Sequence, residues 1–333
     1  MAEARERSLF IFPGQGTQYV GMGRDLIRTF GEARAVYDEA SEALGYDVAT
    51  LSREGPSDQL DRTEFTQPVL FTHAHACLTV LRALAGDAAV PGAAAGHSIG
   101  EYNALVTAGV LSFAEALRLV LARAVAMQTH GRGGLMALRA DQATSESLAG
   151  RFYCSLAVTN SARQTVVGGL DADLDRLAEY TQSVERTVGT RLQTGGAFHT
   201  HLMVGAAEAF RPALDATVFR PPALKVLSNA SGGFHPDDPD QIRASLFFQI
   251  FRPVRWRDCM LTALGAGYTD VVELGGGSGE GSDPAARRPR LDSLTRSAHK
   301  EAGVTGARLA GINVESLRAT AEALVAESGG AGG

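Results

Sequence analysis

Short apolar runs alternate with segments of helical periodicity along most of the chain. An apolar run at residues 9–12 precedes a glycine-rich turn and helical material through Gly45, and a strongly helical stretch covers residues 67–84. Residues 93–96 are small and apolar, which is typical of a short buried strand, and the helix after them is predicted to run through Ala108. This alternation predicts an α/β fold with a largely parallel sheet.

The segment between about residues 134 and 196 has a pattern of its own. It predicts, in order, a strand, a helix, two strands, a helix and a strand, at residues 135–139, 142–150, 155–160, 164–168, 172–181 and 185–188. This β-α-β-β-α-β order is that of the ferredoxin-like arrangement. We therefore expect a small subdomain inserted into a larger one.

After this insertion the chain returns to the larger unit, with a helix predicted at 201–214 and strands at 225–228 and 270–274. Glycine then dominates residues 275–282, which predicts a flexible linker or long loop, and an amphipathic helix is predicted at 314–327. The predicted domains are therefore a large α/β-hydrolase-like subdomain with a parallel sheet, a ferredoxin-like small subdomain, and a glycine-rich linker with a C-terminal helical tail. Their ranges are 1–130 and 198–274, 131–197, and 275–333, respectively.

The composition is that of an ordinary globular protein. Of 333 residues, 45% are hydrophobic and 20% are charged, and the net charge of −6 provides no overall basic field for nucleic acid. No apolar run looks long enough to span a bilayer, and the charged N-terminus does not resemble a signal peptide. The three cysteines, Cys77, Cys154 and Cys259, are far apart and odd in number, which favours a reducing compartment. We expect a cytoplasmic monomer without nucleic-acid or membrane partners.

The stretch GHSIGE, residues 96–101, contains a G-x-S-x-G match around Ser98. In one reading, the serine stands on a sharp turn from strand to helix, which exposes its hydroxyl as a nucleophile. In the other, it is a glycine-flanked serine at an ordinary turn. The neighbouring sequence has to decide between the two.

A second glycine-rich turn, FPGQG at residues 12–16, also follows a predicted strand. Because parallel strands end at the same edge of a sheet, this turn is expected near Ser98. The main-chain amides of Gln15 and Ile99 would then form a two-donor oxyanion hole. The alternatives are a phosphate-binding loop, for which the Walker pattern is missing, or a plain turn.

The candidate base is His199, which stands at the exit of the inserted segment, where a cleft between subdomains is expected. No metal site is predicted, because the pairs His73/His75 and His199/His201 lack the H-x-x-x-H spacing that places two rings on one helix face. The glycine-rich stretch 275–282 lacks a G-x-G-x-x-G match, so no nucleotide site is predicted there either.

Six motifs, spread in order between residues 9 and 274, together resemble one family. They are FPGQGTQ (12–18), GMG (21–23), FTQP (65–68), GHSIGE (96–101), AFHT (197–200) and PVRW (253–256). The chain resembles the malonyl-CoA:acyl-carrier-protein transacylases and the acyltransferase domains of polyketide synthases. Its overall pattern is most similar to free-standing acyltransferases that act in trans.

The resemblance implies a role for several single residues. Ser98 matches the acylated nucleophile and His199 its base, while Gln15 and Ile99 match the oxyanion donors. The main-chain carbonyl of Arg255 is expected to orient the histidine.

The resemblance also implies a substrate pocket. Arg123, in the stretch LVLAR, matches the arginine that binds the free carboxylate of malonate, a task that suits a planar guanidinium. On composition alone, Arg123 would instead be an arginine on a solvated helix face. Gln67, His97 and Phe198 are expected to line the pocket, and the Phe198 ring to disfavour branched acyl groups. A core phenylalanine is the alternative for that ring.

The activity implied is transfer of an acyl group, malonyl above all, through a serine ester to the phosphopantetheine thiol of an acyl carrier protein in polyketide or fatty acid biosynthesis. The donor would be an acyl-CoA or an acyl-carrier protein, and no cofactor is expected beyond the arm that the partner carries. Ala124 replaces the glycine that usually follows the arginine, and residues 275–282 replace a glycine-proline-glycine stretch. Carrier-to-carrier transfer of a non-malonyl unit, such as an aminoacyl group, therefore stays open.

Two further alternatives are an acyl hydrolase and a non-catalytic scaffold for synthase assembly. For carrier docking, a basic segment near the C-terminus is the candidate surface, since carrier proteins are acidic. A solvated linker is the competing interpretation. The segment's cations are Arg287, Arg288, Arg290, Arg296 and Lys300.

Overall fold

The computed structural model describes residues 7–183 and 188–330 and contains two sheets. The strands are β1 (Ser8–Phe12), β2 (Ala93–Gly96), β3 (Gly134–Leu138), β4 (Ser155–Ser161), β5 (Gln164–Gly169), β6 (Gly189–Leu192), β7 (Lys225–Val226), β8 (Asp270–Leu274) and β9 (Arg308–Gly311). The larger sheet has the order β7-β2-β1-β8-β9, and all its strands are parallel. The smaller, antiparallel sheet has the order β4-β5-β3-β6. The predicted α/β fold class is confirmed.

Strand β1 lies in the middle of the large sheet because its sequence, SLFIF, is buried on both faces. A central parallel strand is covered by helices on both sides, so it reads as a continuous apolar run instead of an alternating one. Its neighbours β2 and β8 pair with it in register, Phe12 beside Gly96 and Ile11 beside Glu273. The carboxyl ends of β1 and β2 therefore lie side by side, and both strands lead into glycine-rich turns.

Fourteen α-helices occur in the described residues. They are α1 (Arg24–Thr29), α2 (Gly31–Leu44), α3 (Val48–Glu54), α4 (Ser57–Leu60), α5 (Thr63–Ala85), α6 (Gly100–Thr107), α7 (Phe113–His130), α8 (Gln142–Arg151), α9 (Asp171–Ser183), α10 (Val204–Ala216), α11 (Pro239–Gln249), α12 (Trp256–Gly265), α13 (Asp292–Ala302) and α14 (Val314–Gly330). Three short 3₁₀ segments are Gly86–Ala89, His201–Met203 and Pro284–Ala286.

Helix α5 and the 3₁₀ turn after it form one apolar stretch, Thr63–Ala89, that is long enough to cross a membrane by length and composition. This corrects the expectation that no run reaches that length. The stretch is largely buried inside the protein, with 67% of its most apolar window covered. Such burial is typical of the core helix of a globular protein.

The smaller sheet has the strand order of the ferredoxin-like arrangement, with α8 and α9 as its two helices. Its own core includes Met136, Val167 and Leu174. The last strand was predicted at 185–188, of which residues 185–187 lie outside the described part of the chain. The strand that pairs with β3 is β6, Gly189–Leu192.

The prediction of a linker and separate tail after residue 274 is wrong. Strand β9 pairs in parallel with β8 and completes the large sheet. The glycine-rich stretch makes a packed turn: Gly275 and Gly276 have φ of 86° and 67°, and a Cβ on Gly276 would lie 2.6 Å from Oγ1 of Thr17. Only glycine combines positive φ with such close approach at low cost, so these glycines serve packing here and not flexibility.

Candidate active site

Ser98 stands on a strained turn between β2 and α6. Its φ is 53°, in the left-handed region that residues with a side chain rarely adopt. The two flanking glycines make this turn possible. A Cβ on Gly96 would lie 1.8 Å from the carbonyl carbon of Gly100, and a Cβ on Gly100 would lie 2.2 Å from the Phe12 oxygen. The G-x-S-x-G spacing is therefore required by close backbone approach on both sides of the serine.

The turn after β1 lies directly against the Ser98 turn. The His97 amide donates to the Phe12 carbonyl at 2.9 Å, and a Cβ on Gly14 would lie 2.7 Å from the His97 carbonyl oxygen. Gln15 and Ile99 line the same cleft as Ser98. The Gln15 side chain donates to Thr63 Oγ1 at 3.3 Å. The main chains of the two turns therefore meet beside the serine.

The fold brings Ser98 and His199 together across 101 positions of sequence. Oγ of Ser98 lies 2.7 Å from Nε2 of His199. Nδ1 of the same ring lies 2.7 Å from the main-chain oxygen of Gln249, so it carries the proton and donates it. This tautomer leaves Nε2 free to accept the serine proton.

The expectation that the Arg255 carbonyl orients His199 is wrong, because the Gln249 carbonyl does so. Gln249 is the last residue of α11, where main-chain carbonyls have no N–H donor within the helix. Arg255 is the N-cap of α12, and its carbonyl accepts the Cys259 amide at 2.9 Å. The helix that begins at Trp256 thus already uses the predicted carbonyl.

Burial makes His199 a neutral base. The side chain is 4% exposed, and burial, together with the nearby Arg123 charge, lowers the pKa of His199 from 6.5 to about 3. The Gln249 hydrogen bond opposes this shift in part. The ring consequently stays unprotonated over the whole physiological pH range.

Arg123 is fully buried beside the nucleophile. Its guanidinium donates to Oε1 of Gln67 at 2.6 Å, to Oγ of Ser98 at 3.0 Å and to Oε1 of Gln249 at 3.1 Å. Burial lowers the pKa of Arg123, while the neighbouring Tyr102 and Glu101 side chains act in the opposite direction. The cation therefore faces neutral oxygens that a negatively charged ligand could replace.

A cleft of about 700 Å³ lies between the two sheets and contains the predicted pocket residues. Gln67, Phe198 and His97 all line it. Nε2 of His97 lies 2.9 Å from Oδ1 of Asn160, and burial lowers the pKa of His97. Because Asn160 belongs to β4, this contact ties the nucleophile turn to the small subdomain.

Four buried polar residues behind Ser98 were not assigned a role by the sequence. They are Glu101, Asn229, His235 and Gln249. The Asn229 side chain accepts the Ser98 amide proton at 2.6 Å. Glu101 stands inside the GHSIGE motif, and a charged residue placed in the first turn of a buried helix was a signal that could have been used. The other three lie outside the family motifs.

The basic segment divides into buried and exposed parts. Arg287 is buried: its guanidinium donates to the carbonyls of Gly279 and Gly281 and lies 3.8 Å from the ring centre of Tyr19. The expectation that it belongs to a docking surface is wrong, because its charge holds a loop. Arg290 is exposed and lines the mouth of the cleft.

Within residues 7–183 and 188–330, no group of three or more His, Cys, Asp or Glu side chains could hold a metal ion. Cys77, Cys154 and Cys259 are all buried as free thiols. Burial raises the pKa of Cys154 to about 11. The nucleophile of the cleft is therefore the serine.

Residues 9–276 match the model of a family described as the acyl transferase domain. A probable mitochondrial malonyl-CoA-acyl carrier protein transacylase of Drosophila melanogaster is 36% identical over 300 residues, covering 83% of this chain and 78% of that protein. The polyketide biosynthesis malonyl CoA-acyl carrier protein transacylase PksC of Bacillus subtilis is 32% identical, covering 81% and 93%. A solved malonyl-transacylase, PlMCAT in complex with the type II PKS acyl-carrier protein AntF, is similar with a TM-score of 0.85 and 28% identity, covering 95% and 99%.

Proposed function

The chain belongs to the acyl transferase domain family, and from this premise we propose that Ser98 carries the acyl group as an ester between donor and acceptor. The protein is an acyltransferase of the malonyltransferase type that transfers malonyl to an acyl carrier protein. Its polyketide-associated relative supports a setting in polyketide biosynthesis. Two contacts of Ser98 Oγ support this role: Nε2 of His199 lies 2.7 Å away, and the Arg123 guanidinium lies 3.0 Å away.

In the first half-reaction, the Ser98 oxygen attacks the carbonyl carbon of the donor thioester. Nε2 of His199 accepts the hydroxyl proton, and the carbonyl of Gln249 stabilises the imidazolium that forms. As the tetrahedral intermediate collapses, the carbon–sulfur bond breaks and His199 returns the proton to the leaving thiol. The product is an acyl ester on Ser98.

The main-chain amides of Gln15 and Ile99 would hold the oxyanion of that intermediate. The neighbouring amides of the turn are already in use, since Ser98 donates to Asn229 and Gly100 donates to the His97 carbonyl. Among the described residues, the Ile99 amide has no such acceptor, and it precedes the first turn of α6, where helix amides add positive potential. Losing one oxyanion donor typically costs roughly 2.7–4 kcal/mol of barrier.

Arg123 would select the acyl group by its charge. A malonyl carboxylate can replace the amide oxygens of Gln67 and Gln249 on the guanidinium and gain a charge-assisted hydrogen bond. Phe198 would limit the room at the α-carbon, although one methylene in a pocket is worth only about 1–3 kcal/mol. Charge, more than size, should therefore decide which unit is loaded.

In the second half-reaction, the phosphopantetheine thiol of the carrier protein enters the cleft, gives its proton to His199 and attacks the carbonyl carbon of the acyl ester. As this intermediate collapses, the carbon–oxygen bond to Ser98 breaks and His199 returns the proton to Oγ, which leaves the acyl group on the carrier thiol. The donor is proposed to be malonyl-CoA, with an acyl-carrier protein as the second possibility. All reacting protein groups belong to this chain, so the proposed cycle uses no resident cofactor. Buried free thiols at Cys77, Cys154 and Cys259 fit a reducing, cytoplasmic location, and we propose a monomer there.

The test is to incubate the protein with malonyl-CoA and weigh the intact chain. We expect a malonyl adduct on Ser98 that holo-carrier protein removes, and no adduct on Ser98→Ala. Steady release of free malonate without carrier protein would instead indicate a hydrolase. Transfer to the carrier by Ser98→Ala at the wild-type rate would rule out the serine ester.

A further inference from the structure

Glu101 is a fully buried carboxylate one helical turn beyond the nucleophile. Its Oε1 accepts from Nε2 of His235 at 2.7 Å, and both side chains are completely buried. Its Oε2 accepts from Nε2 of Gln249 at 2.7 Å and from the Asn229 amide at 3.1 Å. The carboxylate touches neither Ser98 Oγ nor His199, so the proposed acyl-transfer chemistry does not use it directly.

The first connection from Glu101 to the reacting groups runs through Gln249. The Gln249 amide nitrogen donates both to Glu101 and, at 3.0 Å, to the main-chain oxygen of Ser98. Its amide oxygen accepts from Arg123, and its main-chain oxygen accepts from His199. One residue thus contacts the nucleophile, the base and the pocket cation, and the carboxylate fixes which way its amide points.

The second connection runs through Asn229. While its main-chain amide donates to Glu101, its side-chain oxygen accepts the Ser98 amide at 2.6 Å. Its side-chain nitrogen donates to the Gly96 carbonyl at 2.7 Å. The Ser98 amide is therefore hydrogen-bonded to Asn229, and the Ser98 carbonyl to Gln249. Both Asn229 and Gln249 donate in turn to the same oxygen, Oε2, of Glu101.

We propose that Glu101 is a positioning residue for the acyl transfer proposed above: through Gln249 and Asn229 its carboxylate sets the relative placement of Ser98, His199 and Arg123. The strained φ of Ser98 gives this role a physical reason, because a left-handed serine keeps its conformation only when surrounding contacts over-determine it. A carboxylate suits the position because one oxygen can accept two hydrogen bonds while the other binds His235.

The experiment measures the rate at which a small aryl-methyl sulfonyl fluoride labels Ser98. Ser98 Oγ attacks sulfur, the sulfur–oxygen bond forms, fluoride leaves and His199 takes the proton, so no acyl donor or carrier protein is needed. Two variants remove the hydrogen bond between Glu101 and Gln249, one from each partner. Glu101→Met keeps the side-chain length without oxygens, and Gln249→Leu removes the amide while keeping the main-chain carbonyl.

We expect each variant to label Ser98 at least about tenfold more slowly than wild type, because small misplacements of reacting groups have large rate effects. Since both variants break the Glu101–Gln249 contact, the double variant should lose clearly less than the product of the two single losses. Glu101→Gln should recover to within about threefold of wild type. Its amide oxygen can still accept from Gln249 and Asn229 while its nitrogen faces His235 in the other tautomer.

Three results would overturn the proposal: Gln249→Leu labelling at the wild-type rate, rate losses of the two single variants that multiply in the double, or Glu101→Gln as slow as Glu101→Met. If Glu101→Met does not fold, Glu101→Asp takes its place in the same cycle, because its shorter side chain cannot reach all three donors. Tyr37→Phe is the control for stability, since it removes a buried hydrogen bond to His73 in the same subdomain, away from the cleft. Tyr37→Phe should lower the Tm without slowing the labelling of Ser98.

The proposal rests on the proposed function, but the two fail differently. If wild-type Ser98 takes the sulfonyl label but not malonyl, the acyl assignment is wrong and the positioning role can still be measured. If malonyl loading succeeds and the variant cycle is multiplicative, only the positioning role is wrong.

Discussion

Nδ1 of His199 donates to the main-chain oxygen of Gln249 over 2.7 Å, at the point where α11 ends. A carbonyl at a helix C-terminus has no intrahelical donor and carries part of the negative end of the helix dipole. It can therefore support a positively charged imidazole during the reaction without adding a second buried carboxylate next to Ser98.

Arg123→Ala should abolish preference for a carboxylated acyl group. Removing one partner of a buried charged contact typically costs about 2–5 kcal/mol, so malonyl loading should fall by about thirtyfold or more. Acetyl-CoA, which has no free carboxylate, should lose much less. Loading rates from intact mass measure both, with Arg118→Ala on the exposed face of the same helix as control. Equal losses for the two donors would contradict the role of Arg123.

The loading rate should depend little on pH through the ordinary range of histidine. Because the pKa of His199 is lowered to about 3, its ring is a competent base at pH 5 as well as at pH 8. We expect single-turnover malonylation to change by less than about twofold between these values. A rate that falls with an apparent pKa near 6.5 would mean that the base is exposed or is another group.

Stability should decrease as the pH falls below about 6.5. The pKa of His73 and of His75 is lowered by burial to about 4, and that of His199 to about 3. Between these values and 6.5 the unfolded chain binds protons that the folded chain does not, so acid favours unfolding. Urea unfolding at several pH values measures the slope; a protein that becomes more stable from pH 6.5 to 5 would contradict it.

Glu273 should oppose this trend. Burial raises its pKa from 4.5 to about 7, so between these values the folded chain binds a proton that the unfolded chain lacks. Its contribution is present at low pH and is lost as the pH rises through 7. Glu273→Gln should therefore make the loss of stability in acid steeper. An unchanged slope would indicate that the carboxylate is ionised in the folded protein.

Gly100→Ala should destabilise the protein by at least about 2 kcal/mol, because the added Cβ would lie 2.2 Å from the Phe12 carbonyl oxygen. Gly205→Ala is the matched control. Gly205 lies in α10, and a Cβ added there would meet no described atom of a neighbouring residue within 4 Å, so alanine should stabilise by roughly 0.5–1 kcal/mol. Thermal unfolding compares the two, and equal Tm changes would contradict the close approach of the turns.

Arg290→Glu should weaken use of the carrier protein. Arg290 is exposed at the cleft mouth, where it can attract an acidic partner or the phosphate of the pantetheine arm. We expect KM for the carrier to rise severalfold, with a smaller effect at high salt, while kcat changes little. Arg118→Glu, which makes the same charge change outside the cleft, is the control; an equal rise in KM would indicate a general charge effect.

The elements nearest the nucleophile could be predicted because their signals are local. The SLFIF run requires a doubly covered strand, and Gly96 and Gly100 are spaced for a sharp turn around Ser98. The small subdomain was predicted because six successive elements have a recognisable order. Glycine at 275–282 misled the prediction, because the same residue that loosens a linker also permits a tightly packed turn with positive φ.

The sequence by itself determined the α/β class, the strand-to-helix turn at Ser98 and the candidates Ser98, His199 and Arg123. Tertiary structure alone decided which carbonyl holds the His199 ring, how Glu101 reaches Ser98 through Gln249, and that β9 joins the large sheet. The physical reason is that a main-chain carbonyl is the same group in every residue. Its role depends on where helices end and which segments of the chain meet there, and the pattern of side chains along the sequence does not predict either.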